Sequence, residues 1–248
     1  MWKKVVNFVI TVFIIIFVIL GSKELLKLID LWLKNDVLVS EFIEIPKEPK
    51  KNIDEDPLNR RVDFKSLQAI NPDIIGWIYI PDTKVNYPIL KGNSDEYYLN
   101  RDYNGNYSDF GSIFTFSDVN IDKDSHVCVF GHNMISDQMF GSLGKYKNQE
   151  YGKTHNKMYI YTPERSKELS LISSFVCNYD DDIFELNKEQ DYNSLDELYN
   201  YLESKWLYSN EYSKGSQVFT LATCEGYVGT PWRVTVSFGV SREKFVIE

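Results

Sequence analysis

The chain has 248 residues, 43% of them hydrophobic and 15% aromatic, with 13 Gly and 8 Pro; this is one ordinary globular domain with appendages, or at most two small domains, and not a low-complexity protein. A formal net charge of −9 disfavours nucleic acid as a partner, because phosphate binding requires a basic surface. There are three cysteines, none in a Cys-x-x-Cys pair, which excludes zinc-ribbon and thioredoxin-type chemistry.

Met1-Trp2-Lys3-Lys4 is followed by an uncharged apolar run from Val5 to Leu20, broken only by Asn7 and Thr11. A membrane-spanning helix takes roughly 20 residues for a ~30 Å hydrocarbon core. Met1, Trp2, Gly21 and Ser22 extend the run towards that length, and Lys3 and Lys4 reach the interface by snorkelling. Lysines before the run and an acidic bulk after it place the N-terminus in the cytoplasm and the remainder outside the cell. No small-x-small site follows Leu20, which favours a retained signal anchor over a cleaved signal peptide. Residues 1–22 are therefore read as cytoplasmic tip and transmembrane anchor. An exported chain with an odd number of cysteines has a free thiol to account for.

Between Lys23 and Glu44, Leu25, Leu26, Ile29, Trp32, Leu33 and Val37 recur at helical spacing, which predicts either a juxtamembrane helix that continues the span or lies on the membrane surface, or a stalk helix packed on the domain. Residues 45–61 are polar and proline-punctuated and read as a linker, so residues 23–61 connect the anchor to a folded domain at 62–248. Within that domain a short helix is expected over 62–70, stopped by Asn71-Pro72. Strands are expected over 75–80, 85–90 (with Pro88 on an edge), 111–116, 125–130, 157–161, 169–176, 217–223 and 232–240. A helical turn is expected at 95–99 and a short helix at 140–146. Ser194 is placed to cap a helix from Leu195 to Leu207, with Leu195, Leu198, Leu202 and Trp206 on its apolar face. Many short, closely spaced strands with one well-formed late helix predict a β-barrel with helical decorations.

Cys128 and Cys177 lie in apolar runs and read as small buried hydrophobes, with a Cys128–Cys177 disulfide as an alternative that sequence does not decide. Cys224 differs. It ends the run Val218-Phe219-Thr220-Leu221-Ala222-Thr223-Cys224 and is followed by the turn-rich loop 225–231, a place where a side chain is both held and exposed. A thiol with a pKa near 8.5 needs a partner to act near neutrality. Of the three histidines, His132 follows a strand in Phe130-Gly131-His132-Asn133-Met134, His126 sits at the opposite end of that strand, and His155 lies in a polar loop. His132 is the best partner if Cys224 is a nucleophile. Arg233 opens the strand after the Cys224 loop, and antiparallel pairing would bring it back beside the cysteine. A guanidinium is no general base, but it offers a fork of donors to an oxyanion or carbonyl.

These residues carry a resemblance to the sortases, and to class B in particular. Thr220-Leu221-Ala222-Thr223-Cys224 is similar to the family's Thr-Leu-x-Thr-Cys signature, the Gly131-His132-Asn133 segment to the one with the family histidine, and Arg233 to the family arginine on the next strand. Gly76-Trp77-Ile78-Tyr79-Ile80, Tyr97-Tyr98-Leu99-Asn100 and Met139-Phe140-Gly141-Ser142-Leu143 also resemble class B text, as does the helix before the cysteine strand. The resemblance extends from about Val62 to the C-terminus.

It implies a mainly β fold: a closed eight-stranded sortase-type barrel with N-terminal helices and a long helix before the cysteine strand, preceded by one transmembrane helix. It implies a membrane-anchored cysteine transpeptidase. Cys224 would attack a C-terminal sorting signal of the Asn-Pro-x-Thr type in secreted proteins, and a peptidoglycan precursor amine would resolve the thioacyl-enzyme. His132 would act as acid and base. Arg233 and the backbone N–H of Glu225 would stabilise the oxyanion. Leu99, Ala222 and Glu225 are expected to wall the substrate groove. No cofactor is called for, and the acidic clusters at 118–124 and 180–182 read as solvated loops rather than a metal site. A papain-like protease fits poorly, since its nucleophile lies on an early helix. A pilin-polymerising sortase with a lysine acceptor and a non-catalytic membrane-tethered binding domain remain as alternatives.

Overall fold

A computed structural model describes residues 2–44, 56–186, 192–205, 214–226 and 229–246. The chain forms two compact units, Met1–Glu41 and Phe42–Glu248. The first is helix α1, which runs unbroken from Trp2 to Phe42, so the expected anchor and juxtamembrane helix are one element. No proline interrupts it, and the lone Gly21 costs only ~1 kcal/mol. Beyond the apolar run, Glu24–Lys27 and Asp30–Lys34 pair at 3.5 and 3.0 Å, spacings that support a solvated helix face. The segment Val9–Phe42 is long and apolar enough to cross a membrane. Most of the expected linker, 45–55, lies outside the described residues.

In the second unit, strand β1 (Ile43–Glu44) pairs antiparallel with β2 (Arg61–Val62), so this unit takes in residues ahead of the expected start at Val62. Helix α2 (Phe64–Ile70) is capped by Asp63, whose carboxylate accepts the Ser66 N–H at 3.0 Å, and it stops at an extended Asn71, as the following Pro72 requires.

Eight strands close into a barrel: β3 (Ile74–Tyr79), β4 (Asn86–Leu90), β5 (Ile113–Thr115), β6 (His126–Phe130), β7 (Lys157–Tyr161), β8 (Arg165–Asn178), β9 (Val218–Cys224) and β10 (Trp232–Phe245), in the order β10-β8-β7-β3-β4-β5-β6-β9. The β4–β5 and β6–β9 pairs are parallel. Pro88 is not on a barrel edge as expected, since β4 lies between β3 and β5. It is tolerated because it faces Trp77 of β3 while the β5 ladder begins only at Ile89; on that side no backbone donor is required of it.

Strand β10 is buried on both faces from Val234 to Val240. Val234, Val236 and Phe238 take one face; Thr235 and Ser237 take the other. A second core cluster joins Cys128, Phe175, Cys177, Val218 and Ala222 of the strands to Ile183, Phe184 and the late helix α4 (Tyr192–Ser204). In α4, Leu198, Tyr199 and Leu202 are fully buried, each contributing roughly 1.5–3 kcal/mol of apolar burial. The helix begins at Tyr192, two residues ahead of the expected Ser194 cap; Trp206 and Leu207 lie outside the described residues. The expected helix at 140–146 is a 3-10 turn over Gly141–Lys147. A polar helix, α3 (Gln149–Thr154), follows it, with Asn148 accepting from the Glu150 and Tyr151 N–H groups.

Candidate active site

Strand parity and register place Cys224. Thr223 is buried and Cys224, at the end of β9, is half-buried. Ala222 and Cys224 share a face, and in the antiparallel β9–β10 ladder Cys224 is directly opposite Arg233. Arg233 is in turn opposite Cys177 of β8, so Cys224, Arg233 and Cys177 form a row across three strands. None of the three cysteines is in a disulfide, and Cys128 and Cys177 are both buried in the second core cluster. Burial, with the nearby Asp181 carboxylate, pushes the Cys177 thiol up to about 12, which keeps it protonated and inert.

The Arg233 guanidinium is braced from its own loop. Its Nη1 donates to the Thr230 carbonyl at 2.7 Å and to the Trp232 carbonyl at 3.1 Å. With five N–H donors on a planar fork, a group tethered through one nitrogen keeps others for a substrate.

The parallel β6–β9 pairing brings His132 to the same end of the barrel. The ladder ends at Phe130 opposite Ala222. It is then carried on by the Gly131 N–H to the Ala222 carbonyl (3.2 Å), the Thr223 hydroxyl to the Gly131 carbonyl (2.7 Å) and the Asn133 Nδ2 to the Cys224 carbonyl (2.8 Å). The His132 ring is fixed separately, with Nε2 2.8 Å from the Leu99 carbonyl. A carbonyl only accepts, so this bond assigns the proton of the neutral ring to Nε2. The Leu99 segment is itself anchored: the neighbouring Tyr98, 2% exposed, donates to Asp73 (2.7 Å) and accepts from Asn71 (2.8 Å).

The other two histidines are elsewhere. His126 is buried, with Nδ1 2.8 Å from the Leu186 carbonyl and Nε2 2.7 Å from the Thr220 hydroxyl; burial lowers its pKa to about 4. His155 stacks on Tyr151 with ring centroids 3.9 Å apart.

The three expected groove residues fare differently. Leu99 is half-buried and holds His132 through its carbonyl. Ala222 is 1% exposed and packs in the second core cluster. The half-buried Glu225 pairs with Lys147 at 2.5 Å. Its N–H donates to the Trp232 carbonyl at 2.9 Å, so it is committed to the ladder and not offered to an oxyanion. Within the loop that follows, Tyr227 and Val228 lie outside the described residues.

No group of three or more His, Cys, Asp or Glu among the described residues is placed to hold a metal ion. The acidic loops have structural partners: Asp124 accepts the Asn120 N–H at 2.8 Å, Asp122 the Thr162 hydroxyl at 2.9 Å, and Asp181 the Ile183 N–H at 3.1 Å.

The sortase-domain family model matches residues 78–237, a stretch that holds His132, Cys224 and Arg233. The chain belongs to the sortase family. Its relatives place it in class B: sortase B of Listeria monocytogenes is 28% identical over 167 residues, covering 66% of this chain and 68% of that one. Sortase B of Staphylococcus aureus is 29% identical over 183 residues, covering 71% and 73%. Among solved structures, a cysteine-to-serine mutant of Clostridium perfringens sortase B aligns with TM-score 0.67 and 28% identity over 73% of this chain and 87% of that one. Sortase B of B. anthracis aligns with TM-score 0.68 and 26% identity over 84% and 93%. The chain is thus a class B sortase, a cysteine transpeptidase, on the closed eight-stranded barrel of that class. The features of the site not visible in the sequence are backbone ones, the Leu99 carbonyl and the committed Glu225 N–H, together with Asn133. The only sequence signal for Asn133 was its place beside His132.

Proposed function

We propose that this sortase cleaves a C-terminal sorting signal of the Asn-Pro-x-Thr type and transfers the secreted protein to a peptidoglycan precursor amine. The observation that carries the reading is the opposition of Cys224 and Arg233 across β9–β10, with the His132 loop bonded to the same strand end. The Cys224 sulfur attacks the signal's Thr carbonyl, and Arg233 donates to the oxygen that gains the negative charge. His132 gives a proton to the departing amine as the C–N bond breaks, which leaves a thioacyl-enzyme. An acceptor amine then attacks the thioester. His132 takes the amine's proton, and the Cys224 sulfur departs as the new amide forms. The apolar helix supports a single-pass anchor over 1–22 with a cytoplasmic N-terminus and the catalytic unit outside the cell, where secreted substrates emerge.

The test is a peptide-library assay with the full chain in detergent micelles, run with a glycine-type amine, with a lysine side-chain amine and with neither. The reading expects ligated product in the glycine arm, slow hydrolysis without acceptor and no turnover in Cys224→Ala. Preferential ligation to lysine would assign the pilin-polymerising role instead, and activity in Cys224→Ala would overturn the assignment of the nucleophile. Protease added to intact cells should degrade the catalytic unit if the topology is as proposed.

A further inference from the structure

Asn133 has no task in the chemistry above, yet its side chain makes a direct bond to the nucleophile's own backbone. Beyond Gly131 the β6 backbone leaves β9, and nothing in the ladder fixes how far the His132 loop stands from Cys224. Two side-chain bonds do so: Thr223 to the Gly131 carbonyl at 2.7 Å and Asn133 to the Cys224 carbonyl at 2.8 Å. They fall on the residues immediately before and after His132.

We infer that Asn133 is a positioning residue that sets the placement of His132 against Cys224 by holding the Cys224 carbonyl. This rests on the assignment of Cys224 and His132 as nucleophile and acid–base. Asn133 does not act as the third member of a Cys-His-Asn relay, because the hydrogen bond that orients the imidazole goes to the Leu99 carbonyl. Its effect is exerted on the peptide plane after the nucleophile. That plane is held at both ends, its C=O by Asn133 and its N–H by the Trp232 carbonyl, which prevents rotation about the Cys224 backbone and fixes the direction of its Cβ. The loop beyond Asn133 transmits the constraint because it is closed on itself. Asn133 bridges to Met139, and the Phe140 N–H donates to the His132 carbonyl at 3.0 Å. A Cβ on Gly141 would lie 2.0 Å from the Met134 carbonyl oxygen, so the loop has no slack at its far end. Anchoring Asn133 therefore anchors the base of the whole loop.

The experiment compares Asn133→Ala, Asn133→Asp and Asn133→Gln with wild type and Cys224→Ala in sorting-peptide turnover, using full-length protein in micelles. Enzyme concentration is set by alkylation of the Cys224 thiol in the folded state, so an unfolded fraction does not enter the rates. Asp has nearly the shape of Asn but, ionised, cannot donate. A displacement of about 1 Å between reacting groups costs up to ~10²-fold in rate. The expected result is a 10- to 100-fold lower kcat in the Ala and Asp variants with KM within about threefold of wild type, since uniform binding is untouched. The Gln variant, which restores the amide donor, should recover part of the loss. Wild-type kcat in Asn133→Asp, or a raised KM with unchanged kcat, overturns the inference. Retained activity in Cys224→Ala would instead overturn the reading of the site on which it rests.

Discussion

Cys224 and Arg233 are register partners in the β9–β10 ladder, so their side chains leave the same face with Cβ atoms about 4.5–5.5 Å apart. This proximity is set by backbone pairing and needs no side-chain contact to maintain it. The guanidinium is then aimed by the Thr230 and Trp232 carbonyls on a single nitrogen. A lysine at this position keeps the charge but has neither the fork nor the planar bracing. Arg233→Lys should therefore fold normally and lose about 10²–10³ in kcat, the range for one oxyanion donor. Turnover of a sorting peptide beside a thermal melt measures both. A variant within threefold of wild type would show that Arg233 does not face the developing charge.

The three thiols should separate cleanly by reactivity. Cys224 is half-buried at a strand end, whereas Cys177 and Cys128 are 5% and 4% exposed, and burial pushes the Cys177 thiol up to about 12. At pH 8 iodoacetamide should add one carbamidomethyl group per folded chain, at Cys224, and two more only in denaturant. Intact mass followed by peptide mapping reads this. Modification of Cys177 in the native state would mean that the second core cluster opens.

His126 supplies a pH dependence unrelated to catalysis. Its neutral ring sits between the Leu186 carbonyl and the Thr220 hydroxyl, which also contacts Ser237 at 2.9 Å. Among the described residues the groups bonded to it, with the Cys128 sulfur 3.8 Å from Nε2, include no carboxylate to stabilise an imidazolium, and burial holds its pKa at about 4 against an ordinary 6.5. A folded-state pKa below the unfolded one means that the unfolded chain binds the proton first. The histidine's contribution is thus fully present above pH 6.5 and is lost as pH falls towards 4, by on the order of 3 kcal/mol in all. Urea unfolding at pH 7.5 and pH 5 should show this loss, and His126→Gln should flatten it. An equal pH slope in the variant would assign the loss to carboxylates elsewhere.

Much of this was legible from local pattern because the two strands that matter most are short, apolar and end in punctuation. Cys224 and Arg233 were found together because a seven-residue strand, a turn-rich loop and a second strand leave few alternatives. The limits of β8 and β10 were not found. Their outer ends, Arg165–Glu168 and Arg242–Phe245, pair with each other beyond the strands expected at 169–176 and 232–240. Here charge replaces apolar patterning: the buried Glu168 pairs with Lys157 at 2.8 Å and also with Arg242, which reaches Asp56. Local pattern also could not show that β6 lies parallel to β9. That pairing joins segments about ninety residues apart in sequence, and both Asn133 and the ladder extension depend on it.

Gly111 lies against the carbonyl that bonds His132. It has φ +56°, a left-handed conformation that favours glycine, and a Cβ built on it would meet the Leu99 carbonyl oxygen at 2.2 Å. That oxygen is the acceptor for His132 Nε2. Gly111→Ala should therefore do two things. The backbone conformation alone should cost about 1 kcal/mol or more of stability. The collision with backbone should also push the Leu99 carbonyl off the imidazole and release the Nε2–H tautomer that this bond holds. Tyr98, bonded to Asp73 and Asn71, resists that shift, so relief has to come from the Leu99 peptide itself. The expected outcome is a kcat at least tenfold below wild type, as for a lost orienting contact, with the alkylation rate of Cys224 unchanged, because the nucleophile strand is not touched. Tyr98→Phe serves as the comparison. It loosens the same segment without striking the carbonyl, and should cost about 1–2 kcal/mol of stability with a smaller loss of rate. If Gly111→Ala melts lower but turns over like wild type, the Leu99 carbonyl is not what orients His132.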